Sequence, residues 1–225
     1  MPNLSLPLPF PTCSVSIMSS HHFVRENQEP ALFILAVDSL HAEVIGELLE
    51  WVPTVVATLE VLENLASQGI KIDALVTQTP LDQPFAEIAD AQFPLTVINL
   101  EGRSQLVSGL EYLIQSGQKA VNIIGYDHRE TPLLEPFLPQ LDLVIFDGPL
   151  RYFPVKDPAF KKWMPGGSIQ LHGQENSFVE VGTERENTVH QIQHATFVET
   201  EEGTIHFKST GIFWVGEFFG SNLQG

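Results

Sequence analysis

Cysteine is almost missing from this 225-residue chain: Cys13 is the only one, so no internal disulfide can form and no thiolate zinc cluster can be built. Disulfide scaffolds are excluded, and a reducing compartment fits. Positive charge is scarce as well. Eleven lysines and arginines stand against 28 aspartates and glutamates, a net charge of −17. A nucleic-acid backbone or an anionic membrane surface would meet mostly repulsion, and both are set aside as partners. Long apolar runs are also lacking. The best candidates are broken by Asp38, Glu43 and Glu47 or by Asp142 and Asp147, short of the roughly 18 residues that a membrane span needs. Absent too are Gly-x-x-x-x-Gly-Lys-Ser/Thr, Gly-x-Gly-x-x-Gly, His-Glu-x-x-His and Gly-x-Ser-x-Gly, so the common phosphate, zinc and serine-hydrolase signatures do not apply.

What remains is a chain that is 43% hydrophobic and 17% charged, enough for one large domain or two small ones with a real core. Residues 1–29 read as a coil tail. Four prolines fall within residues 1–17 and no basic residue precedes the apolar part, which makes a poor secretory signal. Cytoplasm is the default expectation. Met18 is an alternative to Met1 as the natural start, and starting there would remove Cys13. His21 and His22 have no further ligands nearby in the sequence, so nothing beyond adventitious metal contact is expected of them.

From residue 30 the texture is regular. Apolar runs of strand length at 31–37, 54–57, 72–77, 95–99, 120–124 and 141–146 alternate with helix-period stretches at 41–49, 59–67 and 104–115. Continuous apolar strands between amphipathic helices predict an open parallel α/β layer over residues 30–147. Its ligand-facing loops should lie at the carboxyl edge, near Asp38, Thr58, Gln78, Leu100 and Gly125. After Asp147-Gly148-Pro149 the pattern becomes alternating and turn-rich, with strands expected at 168–172, 177–181, 189–193, 196–199, 204–207 and 212–218. Residues 148–225 are therefore read as a small antiparallel β-sandwich domain. About 75 residues make a small core, so this part is expected to dock on the first domain or on a second subunit.

The densest polar cluster is Gly125-Tyr126-Asp127-His128-Arg129-Glu130-Thr131, just past an expected strand. Asp127 can orient His128, and Arg129 can grip a phosphate with its planar fork. An exposed polar turn ahead of Pro132 accounts for the same residues, and residue type alone favours that reading. Asp38-Ser39 reads as a helix cap. Asp82 is a lone carboxylate, and magnesium wants several convergent oxygens. Trp163, Trp214, Phe207, Phe213, Phe218 and Phe219 offer an aromatic wall, but alternation makes core the better reading.

Several local stretches resemble the thiamin pyrophosphokinase family over about residues 31–218. They are the strand and acidic turn at 54–60, the run Gln68-Gly69-Ile70-Lys71-Ile72-Asp73 into the third strand, Gly109-Leu110-Glu111-Tyr112-Leu113-Ile114, the strand ending at Gly125, Gly203-Thr204-Ile205-His206-Phe207, and Gly211-Ile212-Phe213-Trp214-Val215. The resemblance implies transfer of pyrophosphate from ATP to thiamin, giving AMP and thiamin diphosphate, with magnesium held by carboxylates. The sequence departs from that family where the metal would sit. Thr58-Leu59-Glu60 replaces an Asp-Gly, Thr77-Gln78-Thr79-Pro80-Leu81 replaces Gly-Asp-x-Asp-Ser with Asp82 displaced, and Glu101-Gly102-Arg103-Ser104-Gln105 replaces a Lys, an Asp and a Thr-Asp pair. The family's Gly-x-Arg-x-Asp-His turn is echoed out of order by residues 125–129, and Ala195-Thr196 meets its thiamin-recognising Ser-Asn pair.

The expectation is a degenerate, homodimeric relative with weak or lost catalysis, retaining a nucleotide or thiamin-like ligand. Its ligand contacts would be Gln78, Ser104, Gln105, Asp127, His128 and Arg129. The acids available for catalysis are Asp82 and Asp127, and those for a metal Glu60 and Asp82, with magnesium and ATP required only if activity survives. The alternatives are an active pyrophosphokinase with rearranged ligands and a non-enzymatic interaction protein.

Overall fold

The computed structural model describes residues 29–78, 80–184 and 186–219, so residues 1–28, with Cys13, Met18, His21 and His22, lie outside the description. The order begins β1 (Ala31–Ile34), α1 (His41–Leu49) and β2 (Val55–Thr58), and a 3₁₀ turn (Leu59–Val61) then runs into α2 (Leu62–Ser67). β3 (Ala74–Thr77), α3 (Phe85–Ala91), β4 (Thr96–Asn99), α4 (Gln105–Gln115) and β5 (Ala120–Ile124) follow, then 3₁₀ turns at His128–Leu133 and Glu135–Phe137, and β6 (Asp142–Asp147).

These six strands are parallel in the order β6-β5-β1-β2-β3-β4. β1, β2 and β3 are buried along their whole length and mostly apolar because helices cover both faces. Ala31 and Phe33 enter a core with Leu106, Leu110 and Leu113 of α4, while Leu32 and Ile34 enter another with Val44 and Ile45 of α1 and Leu62 and Leu65 of α2. The short α3, which the proline-rich stretch before it hides from a periodicity reading, adds Phe85 and Ile88 to the second core.

Past Gly148 come β7 (Leu150–Val155), β8 (Ala159–Met164), β9 (Gly167–Gly173), β10 (Phe178–Gly182), β11 (Asn187–Gln191), β12 (Thr196–Thr200), β13 (Gly203–Ser209) and β14 (Phe213–Phe218). Alternation alone gives six of these eight. β7 is obscured by Pro154, which has no N–H for a ladder, and β8 by its two adjacent lysines. β7 pairs antiparallel with β6, so the parallel sheet continues without a break through β7, β14, β9 and β12 into ten strands. A second sheet, β11-β10-β13-β8, packs on that extension through Met164, Val179, Val181, Ile205 and Phe207 against Val155, Ile169, Leu171, Phe213 and Val215. Lys162 of β8 also pins the sheets together by pairing with the buried Glu217 of β14. The α/β layer followed by an antiparallel sandwich is thus the fold class that the patterning predicts. Among the described residues, no helix is long and apolar enough to cross a membrane.

The aromatic residues divide. Trp214, Phe207 and Phe213 are core, whereas Trp163 is 60% exposed and Phe218 45% exposed, so those two are corrections to the core reading. Both stand on outward-facing positions of their strands. Trp214 belongs to the α4-side core, because consecutive residues of β14 point to opposite faces.

One register row crosses the junction between the parallel strands and their antiparallel extension. Ile145, Tyr152, Gly216, Gln170 and Phe197 stand opposite one another across β6, β7, β14, β9 and β12. Gly216 lets the Tyr152 ring lie flat over the β14 backbone, since a Cβ there would come within 2.6 Å of the ring. The hydroxyl then reaches across to donate to Gln170 Oε1 at 2.7 Å. Tyr152 is fully buried and cannot step aside. Gly216→Ala is therefore expected to destabilise the protein by about 1–3 kcal/mol, the usual cost of overpacking a filled core. Urea denaturation measures it, and a midpoint equal to that of the unsubstituted protein would refute the packing account.

Candidate functional site

The chain leaves β1 toward β2 on one side and returns through β5 on the other, which makes the β1/β5 boundary the topological switch point of the sheet. The loops after these strands diverge there and open a pocket of about 610 Å³. The loop after β1 lines it with Ala36, Val37 and Asp38, and α1 adds His41. The loop after β5 supplies Gly125, Asp127, His128 and Arg129, β6 supplies Asp147, and the sandwich contributes Gln170, His194, Ala195 and Phe197. The two loops touch at Gly125, whose φ of +74° is open to glycine and whose absent Cβ would lie 2.3 Å from the Ala36 carbonyl oxygen.

At the centre is His128. Its ring Nδ1–H donates to Asp147 Oδ2 at 2.6 Å and its backbone N–H donates to the same oxygen at 3.0 Å. The imidazole stacks on Tyr152, centroids 4.5 Å apart and planes within 4°, and His172 meets it edge-on at 5.1 Å. Carboxylate, stack and backbone bond together allow the ring one orientation and one tautomer. Beside it, Arg129 Nε donates to both oxygens of Asp127, at 2.9 and 3.0 Å, and its terminal NH2 donates to Oδ2 at 2.5 Å. Asp127 Oδ1 also accepts the Arg129 backbone N–H at 2.9 Å, which starts the 3₁₀ turn.

The electrostatics follow from these contacts. The hydrogen bonds from Arg129 hold the Asp127 carboxyl down at about 2. Burial pushes Asp147 up, but the two donors of His128 outweigh it and leave the carboxyl below its ordinary value. Burial, with Asp147 nearby, raises the Tyr152 hydroxyl well above the usual phenol, and burial with the charge of Glu130 raises Tyr126 to about 12. Burial and the neighbouring His128 lower His172. The site is therefore two ionised aspartates, one guanidinium and a cluster of imidazoles.

Of the residues singled out from sequence, Asp127, His128 and Arg129 line this pocket; Gln78, Ser104, Gln105, Glu60 and Asp82 do not. Ser104 caps α4, its hydroxyl accepting the Val107 N–H at 3.2 Å. The Gln105 amide donates to both oxygens of Glu60 at 2.9 Å. Burial raises Glu60, yet its own backbone N–H and the Gln105 amide together bring it below its ordinary value. Gln78 and Asp82 are exposed in the loop after β3. Asp38 closes the turn ahead of α1, its Oδ1 accepting the N–H groups of Leu40 at 2.9 Å and His41 at 3.1 Å, but the N-cap position itself is Leu40, which makes no side-chain cap, a correction to the expected Asp38-Ser39 cap because the helix starts only at His41. Ala195 presents a methyl group to the pocket, and the Thr196 hydroxyl is turned to the Gln193 N–H in its own loop at 2.9 Å.

Sequence reasoning misses Asp147, Tyr152, Gln170, His41 and His172. Asp147 carries a usable signal, an acid at the carboxyl end of a buried strand before Gly-Pro. The others are brought in by sheet register, which no local pattern reports.

No sequence profile of a known family matches the chain, and no curated protein matches its sequence. Solved structures do match in fold. Thiamine pyrophosphokinase from Bacillus subtilis aligns at TM-score 0.65 with 11% identity, over 85% of this chain and 100% of that one. Yeast thiamin pyrophosphokinase aligns at 0.62 with 9% identity over 87% and 88%, and the Candida albicans enzyme at 0.60 with 6% identity over 82% and 88%. The chain thus has a thiamin-pyrophosphokinase-like fold along nearly its whole described length.

The depressed Asp127 carboxyl sets a pH dependence. A carboxyl lowered from 3.8 to about 2 stabilises the folded state fully above its unfolded value and loses that contribution as pH falls through the folded one. The Asp127→Asn protein should therefore melt lower than the parent at neutral pH. The two melting curves should converge between about pH 4 and pH 2. A constant offset over that range would show that the ion pair with Arg129 contributes nothing to stability.

Proposed function

We propose that this chain is a thiamin-pyrophosphokinase-like protein that binds a nucleotide or a thiamin-like small molecule in the β1/β5 pocket and transfers pyrophosphate weakly or not at all. The observation that carries this is the pairing of Glu60 with Gln105. Magnesium needs several unencumbered oxygens in near-octahedral geometry. At the carboxyl ends of β2, β3 and β4 the chain offers Glu60, engaged by the Gln105 amide, Glu101, paired with Arg103, and Asp82, displaced along the loop after β3, together with Gln78 and the capping Ser104. These residues do not fit the ion, and no step is routed through it. A working enzyme with rearranged ligands would have to draw on Asp82 and on Asp127, and Arg129 already holds Asp127.

Three features of the pocket support binding. Gly125 brings two loops together at the switch point, His128 presents a fixed imidazole face, and Phe197 adds an aromatic edge. Incubation of the full chain with ATP, magnesium and thiamin should yield no thiamin diphosphate above the protein-free background. Calorimetry with ATP or thiamin, added singly, should show binding that His128→Ala weakens. Catalytic accumulation of product, abolished by Asp82→Asn, would establish the rearranged enzyme instead. Absence of heat from every compound would favour the interaction-protein reading.

We further propose that the chain forms a two-fold homodimer through the outer face of the second sheet. Trp214 needs no partner, being 1% exposed. The pairings Trp163↔Thr204, Glu180↔Lys208 and Glu180↔Val189 put Trp163, Phe178 and Val189 on one outward face, and all three are well over half exposed. Three exposed apolar side chains around the Glu180–Lys208 ion pair suit a self-complementary contact. Sedimentation velocity at micromolar concentration should give a dimer that Trp163→Glu dissociates, and a clean monomer removes the idea.

A further inference from the structure

Besides the His128 ring face that the small-molecule reading uses, the pocket holds a cluster of metal-ligand types. Asp127, His128 and Asp147 each offer a ligand atom, all within 4.8 Å of one another. We infer that they form a binding site for a single divalent transition-metal ion of the zinc class, taken through His128 Nδ1 and one oxygen of each aspartate. The site lies at the ends of β5 and β6, away from the loops after β2, β3 and β4, and the inference holds whether or not pyrophosphoryl transfer survives.

Two observations support it. The first is geometric. Ligand atoms on a tetrahedral zinc ion, with bonds of about 2.0–2.1 Å, lie about 3.3 Å apart. The distances from Nδ1 to Asp147 Oδ2 and to Asp127 Oδ1 are 2.6 and 3.9 Å, which bracket that value. The aspartate oxygens lie within 4.8 Å of each other, so closing the cluster on the ion asks for a movement of at most about 1.5 Å between them. The second is charge: Asp38, Asp127 and Asp147 face the pocket against Arg129 alone among its lysines and arginines, so a cation is favoured over an anion.

Binding needs two rearrangements, and the structure permits both. The Nδ1 proton moves to Nε2 as the ion takes its place, so the imidazole remains neutral and no other reactant is required. Arg129 releases one oxygen of Asp127, and its side chain, 62% exposed, has solvent into which to turn. One imidazole with two carboxylates suits zinc or cobalt, whereas magnesium prefers oxygen ligands alone.

Calorimetric titration of the full chain with zinc chloride tests this, using a His21→Ala/His22→Ala variant as the background so that the adjacent histidine pair is removed. One ion per chain should bind. His128→Gln and Asp147→Asn, both close in shape to the native residues, should each weaken binding by about tenfold or more, with circular dichroism confirming that the fold persists. Millimolar magnesium should not compete. Absence of zinc binding in the background protein, or affinity unchanged in both variants, would overturn the metal site and leave His128 and Asp147 as a hydrogen-bonded pair only. If a variant fails to fold, Asp127→Asn gives the same reading, because that residue lies at the partly exposed edge of the cluster.

Discussion

The flat seating of Tyr152 over Gly216 is the constraint on which the site depends. A glycine in the middle of β14 leaves room for an aromatic ring to cross a strand, and the ring is then held by its hydroxyl on Gln170. This produces a rigid platform in the middle of the sheet, where a side chain would otherwise stand up into the pocket. The imidazole of His128 rests on that platform with its plane nearly parallel, so a residue from a 3₁₀ turn acquires the precision of a sheet position. Strand interiors accept glycine at some cost in stability, and close approach of another group is the common reason for keeping it.

Asp147 completes the arrangement from the opposite side. It ends β6, the last parallel strand, and its carboxylate takes both N–H groups that His128 presents. The chain then turns at Gly148 and runs straight back as β7, which carries Tyr152. One hairpin thus supplies the orienting acid and the stacking ring, and the α/β sheet and the sandwich meet at the pocket. The continuity of the ten-stranded sheet is what keeps these groups in fixed relation.

The chain matches solved thiamin pyrophosphokinases in overall fold. The loops after β2 to β4 hold a glutamate engaged by an amide and a helix cap. Polar density has collected instead at the ends of β5 and β6. Strand packing and register are set by apolar faces that tolerate wide changes in sequence, whereas a site is a handful of side chains that can be altered one at a time.

The α/β layer, the change to alternating strands after Gly148 and the polar turn at 125–131 were legible in the sequence, because each is a local signal: a run of apolar residues, a period of two, a cluster of side chains after a strand. Trp214 as core was legible for the same reason. β7 and β8 were not, since a proline and paired lysines disturb their alternation. Nor could local pattern show that Glu60 meets Gln105, 45 residues away, or that His128 would find Asp147 on one side and Tyr152 on the other. Those meetings depend on strand order and on pairing register across the sheet. A one-residue slip there would turn every side chain to the opposite face, and only the assembled tertiary structure decides it.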